Sequence, residues 1–276
     1  MQPDLHSHTT ASDGTLSPAE LMHEAVSAGL TTLAITDHDT VAGWQQAVKA
    51  VPPELTLIPG IELSTQWNGI GIHIVGLNID PKHEAIERAV AHQSDARLTR
   101  AEQMLSKLSK RNIRLSMDEL LGDYAGHLPG RVHIARMLLD KGHVKNMQQA
   151  FTKYLGAGKP AFCQSNWLEL ETVIESINLS GGIAVLAHPL KYRLTFSKLT
   201  RCIDAFAASG GSAIEVISGA QDKDSTLRLA RLAKENNLLS SCGSDFHQPG
   251  QPWARLGKTA GLPENCKPVW EQWQPA

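Results

Sequence analysis

Aromatic side chains are few in this chain of 276 residues, with 5 Phe, 3 Tyr and 6 Trp. Cysteine is few as well: Cys163, Cys202, Cys242 and Cys266 stand far apart, with no CxxC pair. That excludes a disulfide framework and a cysteine-rich zinc site, and it fits a reducing compartment. No apolar run reaches the ~18 residues of a membrane span, so no membrane partner is expected. Met1-Gln2-Pro3-Asp4 carries neither a basic nor an apolar stretch. No secretory leader is therefore expected, and the expected location is cytoplasmic. Net charge is nearly absent, −2 from 26 basic and 28 acidic side chains. No internal repeat or low-complexity segment is visible.

One count runs the other way. The chain holds 12 histidines, and histidine is the commonest metal ligand and titrates near neutrality. Hydrophobic residues at 42% suffice for a sizeable core, and charged residues at 20% argue against disorder. The length fits one large domain or one domain with an insertion.

The small net charge hides an asymmetry. Residues 84–165 carry 13 basic and 8 acidic side chains, a balance of +5, and the remainder balances at −7. Carboxylates in the acidic body would hold cations, and the basic segment would face an anionic partner. The alternative is a solvated helical surface with its lysines and arginines turned outward.

Alternation dominates both ends of the chain. Asp4–His8 reads as a short strand, and Ser17-Pro18-Ala19-Glu20 as a capping box opening a helix that Gly29 ends. Strands are expected at Thr32–Thr36, Leu55–Ile58, Ile61–Thr65 and Ile72–Val75, with a helix near Trp44–Val51. The middle shows no strand. A long polar helix is expected from Glu84 to Arg111, and Ser116–Glu119 is a second capping box. Further helices are expected at Val132–Lys141 and Gln148–Tyr154. Gly156-Ala157-Gly158-Lys159-Pro160 is a loop, and the proline after the lysine excludes a P-loop. Strand and helix then alternate again, with strands at Ile183–Leu186, Ala213–Ile217 and Leu238–Cys242. The pattern predicts an α/β barrel or sheet of mostly parallel strands with a helical insertion.

Ligand-type side chains stand where those strands end. His6 and His8 are two apart, so on a strand they share one face. Asp13, His38, Glu62, His73, His188, Asp245 and His247 complete a set of six imidazoles and three carboxylates. In parallel α/β folds the carboxyl ends of strands form one rim, so residues distant in sequence converge there. Mixed nitrogen and oxygen donors without thiolate suit Mn, Fe or Zn. Nine donors exceed the needs of one ion, so two or three ions sharing a bridging carboxylate are expected. Closely spaced ions lower the pKa of water and clamp both oxygens of a phosphoryl displacement. The other six histidines (His23, His83, His92, His127, His133 and His143) read as surface or packing residues, with His133 set apart by its neighbour Arg131.

Asp-Leu-His-Ser-His-Thr (4–9), Thr-Asp-His-Asp (36–39), Gly-Ile-Glu (60–62), His-Ile-Val-Gly-Leu (73–77), Ala-His-Pro (187–189) and Gly-Ser-Asp-Phe-His (243–247) together resemble the polymerase-and-histidinol-phosphatase (PHP) family along the whole chain. The resemblance implies a distorted seven-stranded β/α (TIM-like) barrel with a helical insertion. It divides the chain into barrel at 1–98, insertion at 99–164 and barrel at 165–276. It also implies a trinuclear site, with manganese as the usual metal and zinc or iron as alternatives. His6, His8, Glu62 and Asp245 would bind one ion. Glu62 would bridge to a second held by His73 and His188, and Asp13, His38 and His247 would bind the third. The longer stretches at 4–14, 33–40 and 243–249 resemble the bacterial RNase AM branch, which holds 5′→3′ exoribonucleases and 3′,5′-nucleotide bisphosphate phosphatases. The implied substrates are pAp and short 5′-phosphorylated RNA, including rRNA 5′ ends.

Within that reading, Arg97, Arg100, Arg131 and Lys159 would hold the terminal phosphate, and Asp13 and His38 would also contact substrate. Arginine suits bidentate phosphate contact. His188 or Asp13 would assist the leaving oxygen. Two competing readings are a metal hydrolase of C–N or C–O bonds, which needs no basic insertion, and a binding module, which needs no metal.

Overall fold

A computed structural model describes residues 2–123 and 128–273 of the chain. His127 lies outside the described residues. Seven strands form one sheet in chain order: β1 (Pro3–Asp4), β2 (Thr32–Ile35), β3 (Thr56–Trp67), β4 (Ile70–Leu77), β5 (Ile183–Leu186), β6 (Ala213–Ser218) and β7 (Leu239–Gly243). The sheet curls until its first and last strands meet. Leu5 donates its amide to Cys242, and His8 donates to Phe246 at 2.9 Å. The result is a nearly closed barrel. The predicted Asp4–His8 strand is thus real as an extended segment, but only two residues form a regular ladder. Beyond Asp4 the chain bonds by turns to two neighbours: Ser7 accepts from Thr36 of the β2 side, while Leu5 and His8 donate to the β7 side.

Four of the six strand pairs are parallel, as the alternation predicts, but β4 pairs antiparallel with both its chain neighbours, β3 and β5. The β3–β4 link is Asn68-Gly69, with φ of 47° and 74°. Two left-handed residues make the tight hairpin that Asn-Gly favours, and so short a link leaves no room for a crossover. The two strand pieces expected around Pro59-Gly60 are one 12-residue strand. Gly60 permits this. A Cβ there would stand 2.8 Å from Thr36 Cγ2 and 2.9 Å from the Ile35 carbonyl oxygen, so only glycine lets β2 and β3 close up.

Nine α-helices occur among the described residues: α1 (Pro18–Ser27), α2 (Ala42–Ala47), α3 (Glu84–Ser109), α4 (Met117–Asp123), α5 (Arg131–Asp140), α6 (Met147–Ala150), α7 (Leu170–Leu179), α8 (Phe196–Ala208) and α9 (Lys223–Glu235). The Ser17/Glu20 capping box forms as expected, and Ser116 and Glu119 exchange the same pair of bonds ahead of α4. The helix predicted over 148–154 is a four-residue α6 running into a single π turn at Phe151–Leu155.

Four apolar clusters form among the described residues, three in the barrel and one drawn from residues 101–163. Ile61, Leu63, Ile72 and Ile74 of the sheet pack on Ile174, Ile203, Phe206 and Leu229 of the surrounding helices. A second cluster, including Met104, Leu108, Ile134, Leu138 and Leu155, draws only on residues 101–163. Helix α3 belongs to both, with Ile86 and Ala89 in the first and Met104, Leu105 and Leu108 in the second.

Candidate active site

Glu62 stands at the centre, fully buried in β3. Its Oε2 lies 3.2 Å from His6 Nε2, 3.3 Å from His8 Nε2 and 3.0 Å from His38 Nδ1. Its Oε1 lies 2.9 Å from both His73 Nδ1 and His188 Nε2. Five imidazoles therefore converge on one carboxylate. Asp245 Oδ1 stands 3.2 Å from His8 Nε2 and 3.5 Å from His6 Nε2. Asp13 Oδ1 stands 3.3 Å from His247 Nε2, and its Oδ2 lies 3.8 Å from His38. All nine residues singled out as ligands in the sequence thus meet in one ring. They form four overlapping groups whose donor atoms lie within 4.8 Å of one another.

The ring is chemically unsatisfied without cations. His6 Nε2, His8 Nδ1, Asp13 Oδ1, His38 Nδ1, Glu62 Oε2 and His188 Nδ1 are buried with no hydrogen-bond partner. Such atoms cost about 1–3 kcal/mol each when left bare, and divalent ions would satisfy them together. The donor set, imidazole and carboxylate, therefore fits metal ions.

Charges within the ring are strongly coupled. Burial alone would raise the Glu62 carboxyl, but His38, His6 and His73 hold it well below the usual carboxylate range. Burial and the neighbouring His247 push His8 down to about 3, which keeps its imidazole neutral. His247 is pushed up to about 10 against burial by Asp13 and Asp245.

Four more buried carboxylates hold the loops that carry the ring. Asp37 accepts from the Thr9 amide (2.7 Å), Thr9 Oγ1 (2.7 Å) and Ser12 Oγ (2.6 Å), tying down the turn that bears Asp13. Gly43 is needed beside it, because a Cβ would stand 1.9 Å from Asp37 Oδ2. Asp4 accepts from the Ser244 and Gly257 amides, fixing the segment before Asp245. Asp39 accepts from the Ser64 amide and hydroxyl and from Arg97 Nε at 2.6 Å. Glu215 on β6 contacts His6 Nδ1 at 3.1 Å and accepts the His188 backbone amide at 2.6 Å. Asp39, His188 and Asp245 hold φ of 56°, 27° and 54°. Left-handed backbone at non-glycine residues costs about 1–3 kcal/mol each and concentrates at functional sites.

A cavity of about 390 Å³ opens over the ring. Its far end is lined by Arg97, Arg100, Arg131 and Trp167. Arg97 and Arg100, three apart on α3, are 7% and 8% exposed. Their guanidinium carbons lie 5.6 and 4.8 Å from the Trp167 ring centre. Arg97 is paired with Asp39. Arg100 and Arg131 make no hydrogen bond or ion pair with a described residue. Burial, with Arg97 and Arg131 nearby, lowers Arg100 to about 9, so it remains a cation at neutral pH.

Lys159 does not join them. It is exposed on its loop and does not line the cavity. Lys191 does line it, with its ammonium on Asp245 Oδ2. The sequence offers no signal for Lys191 beyond its place three residues after His188. Glu215 had one, an acid inside the apolar run Ile214–Ile217. Of the remaining described histidines, His83 caps α3, His92 bonds the Asn166 carbonyl, and His133 accepts the Gly130 amide at the start of α5. His23 is exposed and His143 half-buried.

The PHP domain family model matches residues 4–162. The chain belongs to the PHP family. It is 44% identical over 270 residues to a 5′-3′ exoribonuclease of Haemophilus influenzae, covering 98% of each chain. It is 37% identical to a 3′,5′-nucleoside bisphosphate phosphatase of Chromobacterium violaceum, covering 98% of this chain and 95% of that one. Among solved structures, one from Chromobacterium violaceum described as an amidohydrolase, with bound sulfate and no metal, superposes with a TM-score of 0.90 at 37% identity, covering 99% and 95% of the two chains. A Bifidobacterium adolescentis structure assigned as a metal-dependent phosphoesterase gives 0.79 at 30% identity, covering 97% and 92%. The PHP barrel thus carries clusters of His, Asp and Glu able to hold metal, and no described helix is long and apolar enough to cross a membrane.

Proposed function

We propose that this PHP protein is a metal-dependent phosphoesterase. It removes the 3′-phosphate of nucleoside 3′,5′-bisphosphates such as pAp, and it shortens 5′-phosphorylated RNA from the 5′ end, rRNA included. One observation carries the reading: a buried ring of nine ligand-type side chains and a cluster of three arginines face each other across one cavity. The names of the exoribonuclease and bisphosphate phosphatase relatives support it.

The ring and the arginines divide the work. The nine side chains, with Glu62 at their centre, would hold three divalent ions, manganese first among Mn, Zn and Fe. Such ions, once bound, supply a nucleophile at neutral pH and polarise the phosphoryl oxygens. Opposite them, Asp39 neutralises one arginine of three and leaves two positive charges. That matches a phosphate monoester, which carries about −1.5 to −2 at neutral pH. Arg97, Arg100 and Arg131 would seize the non-reacting phosphate and set the distance to the reacting one, and residues 99–164 would act as the substrate cap. Asp13, His38 and His188 line the reacting end of the cavity. Asp13 or His188 would pass a proton to the leaving oxygen. An amide substrate would leave one buried and one half-buried guanidinium group, Arg100 and Arg131, without a counter-charge, so the name amidohydrolase fits this cavity poorly. We place the protein in the cytoplasm, where such substrates arise.

The test is product analysis. Purified protein with Mn²⁺ is expected to release phosphate and AMP from pAp, and to degrade 5′-phosphorylated RNA oligomers at least tenfold faster than 5′-hydroxyl ones. No release from either substrate overturns the proposal.

A further inference from the structure

The cavity over the ring does not end at the arginines. A second chamber of about 370 Å³ lies beyond them and shares Gly71, Arg100, Arg131 and Trp167 with the first. Arg100 stands at the divide, buried, resting on Trp167 and facing both spaces. Apart from the shared arginines, the chamber wall is neutral: Gln66, Ile70, Ala157, Phe162, Gln164 and Ser165 are its main described residues. A second phosphate finds no further cation there, which excludes a polyphosphate as its occupant. What the wall offers is apolar and aromatic surface with two carboxamides and a hydroxyl around it. That is the chemistry that receives a flat, neutral heterocycle with hydrogen-bonding edges.

We propose that the chamber beyond Arg100 and Trp167 seats the nucleobase of the terminal nucleotide. Gly71, which lines both spaces, borders open space, since a Cβ there meets nothing within 4 Å. A 5′-phosphate at the divide would then be bracketed, with its ribose leading toward the ring and its base turned past Trp167. The glutamines suit this place, since each amide presents a donor and an acceptor to a base edge. The inference rests on the phosphate end proposed above, but it is tested by binding and not by turnover.

The experiment is calorimetric titration with AMP and with ribose 5-phosphate, which differ in the base alone. The wild-type protein is expected to bind AMP at least tenfold more tightly, the usual worth of one stacked base. Ala157→Trp and Ser165→Trp fill the chamber from positions outside the metal ring and the arginine cluster. Both are expected to cut AMP affinity at least tenfold while leaving ribose 5-phosphate within twofold. Equal binding of the two ligands by the wild type, or an AMP advantage that survives both substitutions, overturns the proposal. Failure to hydrolyse pAp would bear on the phosphoesterase reading and leave this result standing.

Discussion

Single residues in the site fall into those that would touch ions or substrate and those that hold them. Glu215 is the clearest holder. Its contact with His6 Nδ1 leaves Nε2 for the ring, and its other oxygen secures the His188 backbone in its left-handed turn. Glu215→Gln keeps the shape but replaces one acceptor by a donor. Manganese affinity is expected to fall about 10–100-fold, read by metal content after dialysis, with activity recovering as Mn²⁺ is raised. Arg131→Ala should raise KM for pAp by about 10–100-fold, the worth of a hydrogen bond to a charged group, and leave metal content unchanged. Asp39→Ala removes the counter-charge of a buried Arg97. A loss of about 3–5 kcal/mol in urea unfolding is expected, and a loss under 1 kcal/mol would show that the pair is not buried in solution. The ring residues were legible in the sequence because each follows or lies in a strand, and strand ends share a rim. Lys191 and Asp39 were not, because their roles depend on which neighbour they meet, Asp245 in one case and Arg97 in the other.

At the scale of elements, local signals predicted most of what formed. A capping box and apolar spacing mark α1, a long polar helical pattern marks α3, and the alternation with strands marks α7, α8 and α9. The misreadings share a cause, since pairing partners lie outside the local pattern. Pro59-Gly60 looks like a stop, but tight packing of β2 on β3 draws the strand through it. Asn68-Gly69 carried a hairpin signal that the βα rhythm around it obscured, and with it the antiparallel β3–β4 pair. The insertion core offers an element-level test. Leu108 is fully buried among residues of 101–163 alone. Leu108→Ala is expected to cost about 2–5 kcal/mol and to raise KM for pAp, with the metal content of the ring preserved. A variant that loses metal as readily as substrate affinity would show that the insertion and barrel cores are not independent.

For the molecule as a whole, the barrel concentrates negative charge and the insertion concentrates positive charge, and the cavity over the ring opens where the two meet. Chelation of the metal should therefore destabilise the fold as well as silence it. At ion concentrations a thousandfold above Kd, each site adds about 4 kcal/mol to stability. Melting curves with and without EDTA are expected to separate by several degrees and to rejoin on adding Mn²⁺; superimposed curves would contradict the assignment of the ring. Helix α3 gives this arrangement its yardstick. Its 26 residues run as one rod of about 39 Å, bolted to the barrel by Ile86 and Ala89, with Arg97 and Arg100 about two and three turns beyond Ala89. The gap between the guanidinium groups and the ring is thus set by rigid helical pitch, upstream of every loop in the insertion. Lengthening or trimming those loops would change which polymers can approach, yet the fragment cut off should stay one unit long.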